Sequence, residues 1–376
     1  MISLAGSHNR GEFAARPRGA AWLRKGEPHV IDTAMKKAKG IGLLSGGLDS
    51  ALACVVLRDA GADVECLHFF TGFCVTGHNA RVGRTDRPVA NHALQVAAEI
   101  SVPIELVDIS QEYLPVVLEP KHGYGKNMNP CVDCRIFMLR KAKDHMARIG
   151  ADFVFTGEVV GQRPKSQVKG ALRAIEREAG LEGRLLRPLS AKLLPATVVE
   201  KRGLVDRERL YGLSGRSRKP QLEMAARYGL KMYTQPAGGC CFLTDKCYSG
   251  KFRDIIEHRG SANITVDDVF VLGVGRHFRL SRGLRVIVGR NAAENGFLAR
   301  YASDHWSAGA IGFMGPRAIV LGEVGENDWR AIASIVARYS DGRDAGLIDV
   351  EFVRGDGVKR VRTEPASEEF LDRCRI

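Results

Sequence analysis

From residue 39 onward the apolar positions fall into short runs separated by longer mixed stretches. Gly40 to Leu44 reads as a strand, Ser50 to Ala60 as a helix stopped by Gly61, and Asp63 to Phe70 as a strand. A helix over Val89 to Ile100 and a strand over Ile104 to Ile109 follow, then a helix over Cys134 to Ile149 and a strand over Asp152 to Thr156. Strands alternating with helices in this order predict a parallel sheet with helices on both faces. From about Ala262 the pattern changes. Short strands are expected at Asp268 to Gly273, Arg285 to Val288 and Ala318 to Leu321, then a helix at Asp328 to Tyr339 and a strand at Gly346 to Val353. The chain thus divides into residues 1–34, an aperiodic Gly-, Ala-, Arg- and Pro-rich stretch expected to be a flexible extension, an α/β domain over 35–259, and a smaller α+β domain over 260–376.

Composition narrows the class. The 376 residues are 45% hydrophobic, 26% charged and 7% aromatic, ordinary values for a globular chain, which exclude disorder, collagen and coiled coil for the chain as a whole. No apolar run approaches the roughly 18 residues of a membrane helix, and no signal-peptide core is visible, so a cytoplasmic protein without membrane contact is expected. The formal net charge is +13, which favours a polyanionic partner. Residues 157–231 carry 17 Lys or Arg against 8 Asp or Glu, a net of +9, whereas residues 260–376 carry 16 of each. The basic excess therefore belongs to the first domain.

The sharpest motif is Ser45-Gly46-Gly47-Leu48-Asp49-Ser50, between the first strand and the first helix. Glycines let a backbone approach an anion closely, the first helical N–H groups lack partners, and the helix dipole favours negative charge. Ser45 and Ser50 add hydroxyls. Asp49 would repel a phosphate unless a cation lay between them, so Mg²⁺ or positioning is its expected role. The motif is neither a Walker loop nor a G-x-G-x-x-G fingerprint. It resembles the signature of the PP-loop ATP pyrophosphatases, the adenine nucleotide alpha hydrolase superfamily. That resemblance implies an α/β fold, a doubly wound parallel sheet of HUP/PP-loop type. It also implies ATP cleaved between the α and β phosphates, pyrophosphate held by the loop, and a substrate oxygen adenylated.

Nine cysteines are better explained in a reducing compartment by metal, catalysis or burial than by disulfides. Cys131 and Cys134 form a C-x-x-C pair in Asn129-Pro130-Cys131-Val132-Asp133-Cys134, just before a helix whose dipole would favour a thiolate. Cys240 and Cys241 follow Gly238-Gly239 and precede Phe242-Leu243-Thr244-Asp245. Cys54, Cys66 and Cys74 fall on or beside core elements and read as buried hydrophobes. Two plus one thiols could hold a [4Fe–4S] cluster with one open iron, or could pass a persulfide sulfur through a disulfide; four thiolates would suit structural zinc. The first group resembles the first-cysteine motif of the bacterial tRNA 2-thiouridylases, with Cys131 where an Asp usually stands and Cys134 at the cysteine. The second group resembles their second-cysteine motif, with either Cys240 or Cys241 in register. A third cysteine brings the pattern closer to thiolation enzymes that use an open-iron cluster.

Thr156-Gly157-Glu158 ends a strand at the edge where open α/β sheets bind ligands. In the resembling enzymes this Thr-Gly step lies beside the nucleotide. Arg163 and Lys165 could neutralise phosphate of ATP or RNA, Asp108 could bind Mg²⁺ or cap a turn, and Arg216, Arg218 and Lys219 are candidates for RNA phosphate contact. Further on, Val286 to Asn295, Ala302 to Trp306 and Ala337 to Ser340 resemble the RNA-binding domain of the NFACT ribosome-associated proteins, in which His305 and Trp306 could stack on a base.

Together these features point to an ATP-dependent tRNA sulfurtransferase that adenylates a uridine carbonyl oxygen and replaces it with sulfur. ATP would be bound by Ser45, Gly46, Gly47, Asp49, Ser50, Thr156, Gly157 and Arg163, with Mg²⁺. Asp49, Cys134 and Cys240 or Cys241 would act catalytically, and Cys131, Cys134, Cys240 and Cys241 are the candidate cluster ligands. The expected partners are tRNA and a sulfur donor, sulfide or a persulfide carrier. A PP-loop ligase delivering ammonia and a non-catalytic ATP- and RNA-binding protein are the alternatives.

Overall fold

The structure, a computed structural model, describes residues 37–75, 82, 91–233 and 241–376. The N-terminal extension and Cys240 lie outside these residues. Residues 37–376 form one compact unit built on two sheets. The first is a five-stranded parallel sheet of β1 (Lys39–Leu43), β2 (Asp63–Phe70), β3 (Ile104–Asp108), β4 (Phe153–Phe155) and β5 (Leu185–Leu186), in the order β3-β2-β1-β4-β5. The chain steps outward from β1 to β3 and then returns to add β4 on the other side. That reversal between β1 and β4 is the topological switch point, where such sheets open a crevice at the strands' C-terminal ends.

Alternation along the strands assigns the two faces. Phe153, Phe155, Val64 and Cys66 join one core with the helices Leu48–Asp59, His92–Glu99 and Lys219–Tyr228. Ile41, Leu67, Phe69 and Val154 join the opposite core with Ser110–Leu118, Cys131–Arg148, Lys169–Glu178 and Lys246–Arg259. The expected doubly wound architecture is therefore present. Cys54 and Cys66 lie in the first core with their sulfurs 3.5 Å apart.

The second sheet is six-stranded and antiparallel, in the order β11-β10-β8-β9-β7-β6. Its strands are β6 (Arg276–Ser281), β7 (Leu284–Val288), β8 (Trp306–Ala310), β9 (Ala318–Leu321), β10 (Ile348–Arg354) and β11 (Gly357–Thr363). Helices Asp328–Arg338 and Glu368–Cys374 cover one face. The expected strand at Asp268 to Gly273 is a helix, Val266–Leu272. A short apolar run is ambiguous by periodicity, and here Thr265 and Asp268 decide it. The Thr265 hydroxyl accepts from the Asp268 N–H at 3.3 Å and the Asp268 carboxylate accepts from the Thr265 N–H at 2.9 Å, a capping box that starts a helix. This helix sends Val266, Val269 and Leu272 into the α/β core and Val271 against the second sheet.

Gly40 and Gly42 make room for the neighbouring strand. A Cβ on Gly42 would lie 2.7 Å from Cε2 of Phe155, a ring only 1% exposed. Gly42→Ala is expected to destabilise the protein by about 1–3 kcal/mol, the usual cost of overpacking a filled core, measurable as a lower denaturant midpoint at unchanged slope.

Candidate functional site

The Ser45–Ser50 loop lies at the C-terminal end of β1, at the switch point. Gly46 takes a left-handed φ of +79°, and a Cβ there would lie 2.8 Å from the backbone nitrogen of Ala93, so the neighbouring helix admits only glycine. Ser50 donates to the Gly47 carbonyl at 2.8 Å, and its oxygen lies 3.2 Å from that of Ser45. No side chain caps the following helix, Leu48–Asp59. An exposed serine, an uncapped 12-residue helix and a glycine turn together form a cradle for an anion.

Gly157 closes the back of the cradle. A Cβ on it would overlap the Asp49 carbonyl and lie 2.6 Å from the Ser50 nitrogen. The step after β4 therefore presses backbone to backbone against the loop. Thr156 itself is turned inward, its hydroxyl donating to Glu158 at 3.0 Å.

Asp49 is the charged centre of this face. Gln162 donates to its Oδ2 at 3.0 Å, while Oδ1 is buried without a hydrogen bond. Burial pushes its carboxyl above the ordinary range, opposed by the Gln162 bond and by the charges of Arg218 and Arg163. The Arg218 charge thus acts on the phosphate loop. Its Nε and the amide of Gln221, 1% exposed, are also buried without hydrogen bonds. An unsatisfied carboxylate oxygen, guanidinium nitrogen and amide beside an anion cradle fit a magnesium–nucleotide, which would supply partners for each. Sequence reading missed Gln221, since no spacing links it to residue 49. Asp108 caps instead, accepting from the Ser110 N–H at 2.8 Å and hydroxyl at 2.6 Å. It also lines a cleft of about 320 Å³ that includes no residue of the loop.

The loop after Gly157 reaches the thiols. Within five residues it sets Gln162 on Asp49 and Ser166 against Cys131, whose sulfur donates to the Ser166 hydroxyl at 3.4 Å. Cys131 and Cys134 occupy the first turn of the helix Cys131–Arg148. The segment before it is joined to the Cys241 segment: Met128 N–H donates to the Leu243 carbonyl at 3.1 Å and Asn127 to the Thr244 carbonyl at 2.8 Å. The two cysteine groups are therefore held on neighbouring chain segments. Among the described residues, no three Cys, His, Asp or Glu side chains assemble as a metal-binding group. Cys131, Cys134 and Cys241 do not complete the cluster set by themselves.

Two carboxylates fasten the thiol helix. Glu158, 2% exposed, pairs with Arg187 at 3.1 Å and with Arg135 at 3.4 Å, one residue beyond Cys134. Burial alone would raise its pKa, but Arg135, Arg187 and the hydrogen bonds outweigh it and hold the carboxyl below its ordinary range. Asp133 accepts from the His122 ring at 2.9 Å, and Glu178 faces the other ring nitrogen at 2.9 Å. The Asp133 bond raises the His122 pKa against a small burial cost, with Glu178 adding to the rise.

Fold and loop define a HUP-like α/β unit with a glycine-rich anion cradle at its switch point. Residues 39–179 match the family described as tRNA methyl transferase HUP domain, and residues 275–374 match the NFACT protein RNA binding domain. The tRNA-specific 2-thiouridylase MnmA of Roseiflexus sp. (strain RS-1) is 27% identical over 232 residues, covering 58% of this chain and 61% of that protein. Its counterpart from Geotalea uraniireducens (strain Rf4) is 25% identical over 258 residues, covering 64% and 63%. The chain thus spans about three fifths of the length of these curated relatives. A solved 4-thiouridine synthetase–RNA complex with bound ATP is 21% identical, covering 56% of this chain and 46% of that one with a TM-score of 0.37. The chain is similar to the tRNA 2-thiouridylases over about three fifths of its length, and its residues 275–374 match the NFACT RNA-binding domain.

Glu158→Gln leaves two arginines without their buried counter-charge and is expected to cost about 3 kcal/mol in denaturant unfolding. A depressed carboxylate stabilises fully above its unfolded pKa and loses that contribution as pH falls through the folded value. The variant should therefore lose less stability than wild type on acidification through that window. His122 has the opposite sign: its contribution is complete below its unfolded pKa and is lost as pH rises through the raised folded value. An NMR titration should place the His122 midpoint above the ordinary value of about 6.5 and return it toward that value in Asp133→Asn.

Proposed function

We propose that the protein is an ATP-dependent tRNA sulfurtransferase acting as two domains, residues 35–259 for activation and sulfur transfer and 260–376 for RNA binding. One observation carries this reading: the same short loop contacts Asp49 at the anion cradle through Gln162 and Cys131 at the thiol helix through Ser166. An activating site and a sulfur-carrying site must act on one atom, so they have to share a wall.

ATP supplies an adenylyl group that turns the uridine carbonyl oxygen into a leaving group. Ser45, Ser50 and the N–H groups of the Gly46–Gly47 turn and first helical turn take the phosphates. Asp49 holds Mg²⁺ in place, Arg163 and Arg218 balance phosphate charge, and Gly157 lets the end of β4 close against the loop. The thiols of Cys134 and Cys241 carry and deliver sulfur, and expulsion of AMP leaves a thiocarbonyl. Cys131 and Cys134, with Cys240, are the ligands on which a [4Fe–4S] cluster with an open iron would be built. Iron analysis of anaerobically purified wild type and Cys131→Ala distinguishes the two sulfur carriers: about four irons lost in the variant would identify the cluster, and an iron-free, active protein the persulfide.

The deciding experiment supplies ATP, unmodified tRNA and labelled sulfide or persulfide, and follows pyrophosphate and labelled RNA. Wild type is expected to form both, and Asp49→Asn to lower pyrophosphate release by about a hundredfold or more, as for loss of one electrostatic contact to the reacting group. Pyrophosphate formation with ammonia but no sulfur incorporation would identify the ligase alternative, and no pyrophosphate at all would leave a binding protein.

A further inference from the structure

We propose that Cys74, which sequence reading placed among the core cysteines, is the resolving thiol for Cys241. Cys74 is only partly buried and lies four residues beyond the end of β2, on the sheet edge that carries the Ser45–Ser50 loop. Its backbone pairs with that of Cys241 as an isolated antiparallel bridge. The Phe242 N–H donates to the Phe73 carbonyl at 3.0 Å, so this bond flanks the cysteine pair rather than joining its members. Cys74 and Cys241 are therefore a non-hydrogen-bonded pair, the closer of the two antiparallel types, with Cα atoms about 4.5 Å apart and side chains on one face. That separation falls within the roughly 4.4–6.8 Å that a disulfide spans.

The surroundings fix both partners. The Thr71 hydroxyl, itself buried, lies 3.3 Å from the Cys74 sulfur and can donate to a thiolate. On the other strand, the Thr244 hydroxyl donates to the Cys241 carbonyl at 2.9 Å, and Phe242 stacks on Tyr248 at 5.1 Å.

The chemistry deepens the sulfurtransferase reading and rests on it. A persulfide donor leaves Cys241 as Sγ–SH. The Cys74 thiolate attacks Cys241 Sγ, a Cys74–Cys241 disulfide forms, and the outer sulfur departs with the bonding electron pair as hydrosulfide. The Cys74 sulfur is oxidised to the disulfide level as the outer sulfane sulfur is reduced to hydrosulfide, and Cys241 Sγ keeps its oxidation state, so no further oxidant enters this step. A dithiol reductant then restores both thiols.

The full chain is equilibrated in oxidised and reduced dithiothreitol, alkylated and mapped by peptide mass spectrometry. A Cys74–Cys241 cross-link is expected in wild type and in Cys134→Ser, and is expected to be absent from Cys74→Ser. In a second arm, protein loaded with inorganic polysulfide is followed for hydrosulfide release in a single turnover. Cys74→Ser and Cys74→Ala, checked for native circular dichroism, should retain the persulfide and release hydrosulfide about tenfold or more slowly, as loss of an oriented intramolecular nucleophile predicts. Cross-linking of Cys241 to Cys134 instead, or unchanged release from both Cys74 variants, overturns the role of Cys74 alone. If wild type takes up no sulfane sulfur on Cys241, the sulfur-transfer reading falls and the resolving role with it.

Discussion

The organisation of the candidate site depends on one steric constraint, the contact of Gly157 with the backbone of Asp49 and Ser50. Only a residue without a Cβ lets the end of β4 close against the loop from β1. Because these strands flank the switch point, that closure fixes everything hung on either chain. It sets Gln162 on Asp49, brings Ser166 to Cys131, and buries Glu158 where Arg135 of the thiol helix can reach it. A glycine thus carries information that its own chemistry does not show.

Two carboxylates a few ångströms of backbone apart have opposite fates, and the reason is their partners. Both are desolvated, which alone disfavours the charged form. Glu158 receives two arginines and two hydrogen bonds and keeps its charge. Asp49 receives one amide and more distant guanidinium groups, so burial prevails and one oxygen has no hydrogen bond. The first is a fastening, complete in the protein alone. The second is incomplete, and a bound cation would complete it.

The basic excess of residues 157–231 is partly internal. Arg187 is buried between Glu158 and Glu176, Arg207 pairs with Glu200, and Lys192 reaches Glu208. The charge of Arg218 also acts on Asp49. In the second sheet, the cations along β11 are likewise engaged: Lys359 with Glu326, Arg360 with Glu351 and Arg362 with Asp349. Trp306 packs edge-on against Trp329 at 5.1 Å, and Trp329 against Phe352 at 5.0 Å, which makes Trp306 part of the sheet's packing. The neutral charge balance of residues 260–376 thus has a structural counterpart in these pairs.

The sequence by itself determined what depends on contiguous residues. The SGGLDS turn, the alternation of strand and helix, and the Cys-x-x-Cys pair on a helix start all express local backbone geometry, and each is found where local rules put it. The run from Asp268 to Gly273 misled because its apolar residues suit either element, and the capping box of Thr265 with Asp268 settled the matter. Tertiary structure alone decided which distant groups meet. Gln221 and Arg218 come to Asp49 because the helix Lys219–Tyr228 packs on Leu48–Asp59. Cys74 meets Cys241 because a hydrogen bond between Phe242 and Phe73 brings together segments separated by more than 160 residues. Such meetings follow from the burial of whole faces, and face-to-face burial leaves no periodic mark on either segment alone.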